Sequence, residues 1–185
     1  MNNKLLAALL ISLAPALAQA GLMDKLNDAK SSDVGAKAAQ KAEGSARASG
    51  NKKVAAQVNK RLLAESRKNQ CSFKSGSDEL APGCDKKSQK LADVIIDVKK
   101  TLQAQGYGGF KFIVSGHTDS TGDAAKNKDL SQRRAQVMVN QLVAKGVDKS
   151  DIEAVGMGSD RMLVKPDNTP AKKAKNRRYE VEVRF

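Results

Sequence analysis

Leu91, Val94, Ile95, Val98 and Leu102 recur at i, i+3, i+4, i+7 and i+11, with Lys and Asp filling most positions between them. That spacing places one apolar stripe along a helix of about four turns, which needs a sheet to bury it. The turn-rich Gly106-Tyr107-Gly108-Gly109 follows, and then the β-branched and aromatic run Phe110-Lys111-Phe112-Ile113-Val114 reads as a strand. A second helix is expected from near Ser131, whose hydroxyl can cap the first-turn amides, with Ala135, Val139, Leu142 and Val143 on its apolar face. Gly146 supplies a left-handed terminator for it, and Val147 the apolar contact that accompanies such an end. Ile152 to Val155 should form a short strand. The C-terminus alternates strictly, with Tyr179, Val181, Val183 and Phe185 on a buried side and Arg178, Glu180, Glu182 and Arg184 on a wet one. The elements therefore run strand, helix, strand, helix, strand, loop, strand. This is an α+β domain with the helices packed on one face of a mixed sheet.

The pattern upstream differs in kind. Lys4 precedes an apolar run from Leu5 to Leu17, broken by Ser12 and Pro15 and ending in Ala18-Gln19-Ala20. The run is too short to span a bilayer and carries the three regions of a secretory signal, so residues 1–20 are expected to be removed on export. No Cys follows the run, so lipid attachment at a new N-terminus is not indicated and a soluble, exported mature protein is expected. Residues 21–69 read as a basic, Ala-rich arm: Leu22 and Leu26 mark one marginal helix, and Val54, Val58 and Leu62 mark another. Gly35, Gly44 and Gly50 lie in the stretch between, each costing a helix about 1 kcal/mol, so a mobile linker is expected there. The folded domain then occupies residues 70–185.

Composition sharpens the picture. Thirty-three Lys and Arg against twenty Asp and Glu give a net charge of +13 in 185 residues, which favours anionic partners. Residues 21–70 hold eleven basic and five acidic groups, a surplus of 6. The arm is thus suited to an outer-membrane surface, an envelope protein or an anionic polymer, or serves as a soluble tether. Export also gives meaning to Cys71 and Cys84, an isolated pair that reads as a disulfide in an oxidising compartment. A structural zinc site needs about four ligands, and two Cys with one His do not supply them.

The segment SGHTDSTGDAAKNKDLSQRRAQVMVNQL, between the central strand and the second helix, carries the candidate chemistry. Asp119 sits at the end of a buried strand, where a carboxylate requires a positive partner. Arg134 falls just after the expected Ser131 cap, an unusual place for a cation beside the positive end of a helix. A guanidinium, free first-turn amides and a carboxylate together suit a zwitterionic ligand bearing carboxylate and ammonium on one carbon. Direct pairing of Asp119 with Arg134, closing the loop between them, is the competing reading of the same residues.

GHTDSTG, NKDLSQRRAQVMVNQL, GMGSDR and the ending NRRYEVEV, together with FKSGSDEL as a first strand and turn, resemble the C-terminal domain of the OmpA family over about residues 70–185. The resemblance implies a βαβαβ-β domain that binds peptidoglycan non-covalently by gripping the diaminopimelate of its stem peptide. It makes Asp119 the residue for the ligand ammonium and Arg134 the residue for its carboxylate, with Thr118, Asn127 and Arg178 in supporting positions. It also implies a cell-envelope location, in the periplasm and associated with the wall or outer membrane. The β-barrel, the transmembrane helix and the lipid-bearing Cys found in various members have no counterpart in the sequence, and the Cys71–Cys84 pair is not a general family feature.

Other functions fit less well. Ser115, His117 and Asp119 alternate along one strand, which rarely supplies the mutual geometry of a catalytic triad, so no enzymatic activity and no cofactor are expected. GYGG and GMGS lack the spacing of phosphate-cradling loops and read as turns. The main alternative is a charge-driven binder of nucleic acid or lipopolysaccharide with the domain as scaffold. The basic arm has no aromatic platform for bases, so nucleic acid is not the expected partner.

Overall fold

The computed structural model describes residues 33–74 and 76–185. Residues 1–20 and the Leu22–Leu26 helix lie outside the described residues. Helix α1 spans Asp33–Lys68, α2 Asp85–Ala104, strand β1 Lys111–His117, α3 Ala124–Ala144, β2 Ile152–Gly156, α4 Pro170–Asn176 and β3 Arg178–Arg184. The three strands order β2-β1-β3, with β1 parallel to β2 and antiparallel to β3. A mixed sheet follows from the connections: α3 carries the chain back across the sheet to make the parallel pair, whereas β3 returns beside β1 in the opposite sense.

The expected stripe on α2 is the buried one, since Leu91, Ala92, Ile95, Val98 and Leu102 all lie in the interior. They meet Phe112 and Val114 of β1, Val181 and Val183 of β3, and Met138 and Leu142 of α3 in one cluster. The end of α3 is also as expected. Gly146 has φ +97, its N–H reaches the Val143 carbonyl at 3.0 Å, and the Val147 N–H reaches Leu142 at 3.1 Å. These two bonds satisfy carbonyls that the helix end would otherwise leave open.

The start of α3 differs from expectation. Gly122 turns the chain at φ +89, and Asp123 in extended geometry caps the helix by accepting from the Lys126 N–H at 2.9 Å. Ser131 lies two turns inside, fully buried. Its hydroxyl donates to the Lys128 carbonyl and accepts the Gly158 N–H, both at 2.8 Å, so it ties α3 to the turn after β2 instead of opening the helix.

Two glycines set how closely α3 lies on the sheet. A Cβ at Gly116 of β1 would stand 2.2 Å from the Ser131 carbonyl oxygen, and one at Gly156 of β2 would stand 2.6 Å from the Gln132 nitrogen. Both obstacles are backbone, which cannot swing aside, so any side chain at either position would push the helix off the strands that carry the candidate site.

Among the described residues, from Asp33 onward, the expected break does not occur, and α1 runs through Gly35, Gly44 and Gly50. Glycine lowers helix propensity by only about 1 kcal/mol, and ten alanines in residues 21–70 favour continuation. From Ala48 onward the helix belongs to the same compact unit as the rest of the chain. Val54 and Val58 pack on the core, and Leu62 is fully inside it.

The same helix closes the exposed edge of β3. Asn59 donates to the Val183 carbonyl at 3.1 Å and accepts from the Val183 N–H at 2.6 Å. Gln70, just past the helix end, does the same to Tyr179 at 2.7 and 3.1 Å. Two side-chain amides thus imitate a neighbouring strand on an edge that would otherwise present unpaired backbone groups. FKSGSDEL forms no sheet strand. It is a small hairpin closed by one antiparallel bridge, Phe73 to Leu80.

The second face of β3, expected to be wet, is buried in its first half, while Glu182 and Arg184 farther along are more open to solvent. Glu180 is 8% exposed and the Arg178 side chain 6%. Glu180 accepts from Arg178 at 3.0 Å and from Arg67 of α1 at 2.8 Å, so a carboxylate is buried there with two guanidinium partners. Phe185, expected inside, is 38% exposed, although it packs edge-on against Tyr107 and Phe110 at 5.8 and 5.9 Å.

Candidate functional site

The chain leaves β1 through Thr118 and Asp119, at the end where β3 begins and α4 stops. Asp119 is buried, and its two oxygens face different partners. Oδ1 accepts the Thr121 N–H at 2.9 Å, which folds the residues after the strand into a tight turn. Oδ2 accepts from Arg177 Nη1 at 2.7 Å. Burial opposes ionisation of this carboxyl, but the hydrogen bonds from Arg177 and Thr121 outweigh it and hold Asp119 below the usual carboxylate range.

Arg134 projects from the middle of α3 and is gripped from outside the helix. Its Nε donates to the Ser77 carbonyl at 2.8 Å, with a longer 3.4 Å contact from Nη2 to the Lys74 carbonyl. The guanidinium carbon lies 5.1 Å from the centre of the Phe73 ring. All three contacts come from the FKSGSDEL hairpin, so that motif serves as the cradle of Arg134. Nη1 has no hydrogen-bond partner among the described residues. Burial and the charge of Arg177 lower the Arg134 pKa, while Asp78 and Asp119 raise it. Arg134, Arg177 and Asp119 therefore act on one another electrostatically as a group.

The other expected residues separate into two sets. Asn127 donates to the Thr121 carbonyl at 2.9 Å and binds the Asp119 turn to α3. Thr118 is 4% exposed, its N–H bonds the Gly158 carbonyl at 2.9 Å, and its hydroxyl has no partner among the described residues. Arg178, expected in a supporting position, is directed elsewhere: its guanidinium bonds Glu180, the Asn176 carbonyl and the Arg161 carbonyl. The guanidinium beside Asp119 belongs instead to Arg177, which the sequence reading missed. Alternation along β3 already puts Arg178 on the Glu180 side, so its predecessor is free to point to the opposite one.

Arg177 is positioned by a buried knot. Asp167 accepts from the Ser120 N–H at 3.0 Å, from the Ser120 hydroxyl, and from Asn176 Nδ2 at 3.0 Å. The Asn176 Oδ1 in turn accepts the Leu163 and Val164 N–H groups. The Ser120 bonds, assisted by Asn176, hold the Asp167 carboxyl down at about 2, so it stays charged under ordinary conditions. Ser120 follows Asp119 and Asn176 precedes Arg177, so this knot fixes both members of the Asp119–Arg177 pair.

Cys71 and Cys84 form a disulfide with Cα atoms 5.0 Å apart, as expected. It closes the loop that contains Phe73, Lys74 and Ser77, and so secures the base of the cradle. Among the described residues, no group of three or more His, Cys, Asp or Glu is placed to hold a metal ion.

The model of the OmpA family matches residues 72–177, more than half of the chain. The chain belongs to the OmpA family. Outer membrane porin F of Pseudomonas fluorescens is 51% identical over 71 residues, which is 38% of this chain and 21% of the porin. The peptidoglycan-binding protein ArfA of Mycobacterium bovis is 41% identical over 70 residues, 38% of this chain and 21% of ArfA. The chain thus spans about a fifth of the length of these relatives. Among solved structures, the OmpA-family fold is shared with the peptidoglycan-associated lipoprotein of Burkholderia pseudomallei (TM-score 0.50, 23% identity, 62% of this chain and 89% of that one). It is shared equally with the periplasmic domain of MotB from Helicobacter pylori (TM-score 0.51, 19% identity, 62% and 68%). These likenesses bear out the expected α+β class with helices on a mixed sheet.

His117, the one histidine, lies outside the cleft and next to the buried charges of β3. It is 3% exposed, with Nε2 3.7 Å from Glu180. Burial and Arg178, helped by Arg161 and Arg67 and opposed by Glu180, lower its pKa from 6.5 to about 4. The unfolded chain therefore binds a proton through a pH range in which the folded one refuses it. Stability is full above about 6.5 and falls as pH drops towards about 4. The loss from this group between about pH 7 and about pH 5 should be about 2 kcal/mol. Urea unfolding at the two pH values checks it, and His117→Gln should remove most of the difference.

Proposed function

We propose that this protein binds peptidoglycan non-covalently in the bacterial envelope and tethers to the wall without acting on it chemically. The ligand group is the zwitterionic end of diaminopimelate in the stem peptide. In this reading Asp119 takes the ammonium, and Arg134 Nη1 with the Arg177 guanidinium takes the carboxylate on the same carbon. Thr118 and Asn127 support the turn that presents Asp119. The observation that carries the proposal is the held but incompletely engaged Arg134, whose Nε is fixed by Ser77 while Nη1 has no partner among the described residues. A guanidinium pre-oriented in this way loses little freedom when a carboxylate arrives. The likeness to the peptidoglycan-binding protein ArfA, and the family itself, support the same class of ligand. The basic helix, with Arg47, Lys52, Lys53 and Lys60 along its length, adds a general attraction to anionic surfaces of the periplasm or outer membrane.

Co-sedimentation with purified sacculi at moderate salt tests the proposal. Asp119→Ala and Arg134→Ala should each lose most binding at a temperature where circular dichroism shows both variants folded. Binding driven by charge alone would leave Asp119→Ala unaffected and would release every variant equally as salt rises.

A further inference from the structure

A groove of about 490 Å³ opens beside the Asp119–Arg177 pair, and the grip on the zwitterionic head makes no use of it. Ser120 and Asp167 line it on the side of the Asp119 turn, Met162 and Pro166 give it apolar wall, and Lys165 and Lys173 bring two ammonium groups. It is continuous with the site along two covalent paths. Ser120 is the residue after Asp119. Lys173 of α4 stands one turn before Arg177, the residue that follows the helix, and its carbonyl accepts the Arg177 N–H at 3.0 Å, so the two lie on the same side of the helix end.

The charges of this groove are unbalanced. Lys173 is half-buried, and neither it nor Lys165 forms an ion pair among the described residues. Asp167 is the one carboxylate in the wall, and its oxygens are already engaged by Ser120 and Asn176. Asp160, whose carboxyl responds to Lys165, is paired with Lys128 at 2.8 Å. Two ammonium groups without an ion pair among the described residues, in a groove that Met162 and Pro166 also line, suit an anionic group attached to a short apolar stem.

We propose that this groove is a second subsite that takes a carboxylate carried by the residue next to the zwitterionic head. In a stem peptide that group is the α-carboxylate of the γ-linked glutamate, whose methylenes would lie on Met162 and Pro166 while Lys165 and Lys173 receive the charge. The inference rests on the reading of Asp119 and Arg134 given above, and extends it from one amino-acid head to two consecutive residues of the polymer. It also makes the protein a sensor of wall chemistry, because amidation of that glutamate removes the charge the lysines select.

The test titrates the full chain by calorimetry with two soluble stem tripeptides that differ only in whether the glutamate α-carboxylate is free or amidated. The wild-type protein should bind the free acid on the order of five- to tenfold more tightly, as expected for one added charge-assisted contact. The Lys165→Gln, Lys173→Gln double variant should bind both peptides equally, near the wild-type affinity for the amidated one, with an unchanged melting temperature. Retention of the preference by the double variant, or its absence in the wild type, overturns the subsite. Undiminished binding of the amidated peptide by Arg134→Ala overturns instead the grip on the head, and the subsite with it.

Discussion

Replacing Cys71 and Cys84 together by Ala should lower the unfolding free energy by about 3 kcal/mol and, separately, weaken binding to sacculi. The first effect follows from loop closure. A cross-link 13 positions apart restricts the unfolded chain by about that amount. The second is local. The disulfide anchors the hairpin whose Ser77 carbonyl, Lys74 carbonyl and Phe73 ring hold Arg134. Without the cross-link the hairpin is closed by the Phe73–Leu80 bridge and its neighbouring backbone bonds, and Arg134 must be ordered at the moment the ligand arrives. Urea unfolding measures the first effect. Sacculus binding at a temperature where the variant remains folded measures the second. Equal binding by variant and wild type under those conditions would show that the cradle does not depend on its cross-link.

Arg177→Ala should weaken binding by about tenfold to a hundredfold, the scale of one or two hydrogen bonds between charged groups. Two consequences combine there. The Asp119 carboxylate loses the partner that fixes its Oδ2 at 2.7 Å, and the ligand carboxylate loses one of two guanidinium neighbours. The Asp119 pKa, now held down against burial chiefly by the Arg177 hydrogen bond, should rise. Its stabilising contribution, present above the carboxylate pKa of the unfolded chain and lost as pH falls through the folded value, should shrink accordingly. An NMR titration of the Asp119 carboxyl in the variant checks the shift. Arg177→Lys, which keeps charge without the fork, should recover part of the binding and Arg178→Lys should leave the Asp119 titration unchanged, since Arg178 is engaged with Glu180.

The elements that were legible in the sequence are those where side-chain pattern and packing coincide. The α2 stripe and the Gly146 terminator each encode a local rule that the tertiary structure does not override, whereas the alternation of β3 announces the strand but not the burial of Arg178 and Glu180 on its polar face. The beginning of α3 was legible too, but in Asp123 after Gly122 and not in Ser131, whose hydroxyl is satisfied within the helix and by Gly158. Correcting that start removes the argument that placed Arg134 at a positive helix end. Its restraint comes from the hairpin, a contact across 57 residues that no local pattern announces. Arg177 was missed for a related reason. Alternation along β3 assigns Arg178 to the Glu180 side, but that Arg177, just before the strand, reaches Asp119 depends on where α4 ends, across 58 residues of sequence. The covering of the β3 edge by Asn59 and Gln70 was likewise invisible, because amides that substitute for strand neighbours look the same as amides that face water.

In the proposed grip, a carboxylate and a guanidinium together recognise an ammonium and a carboxylate on one carbon. Titrating the protein with two soluble stem tripeptides, one ending in meso-diaminopimelate and one in lysine, tests it directly, because lysine keeps the side-chain ammonium and lacks the adjoining carboxylate. The diaminopimelate peptide should bind at least about tenfold more tightly, with that preference abolished in Arg134→Ala. Equal affinity for the two peptides in the wild-type protein would contradict it.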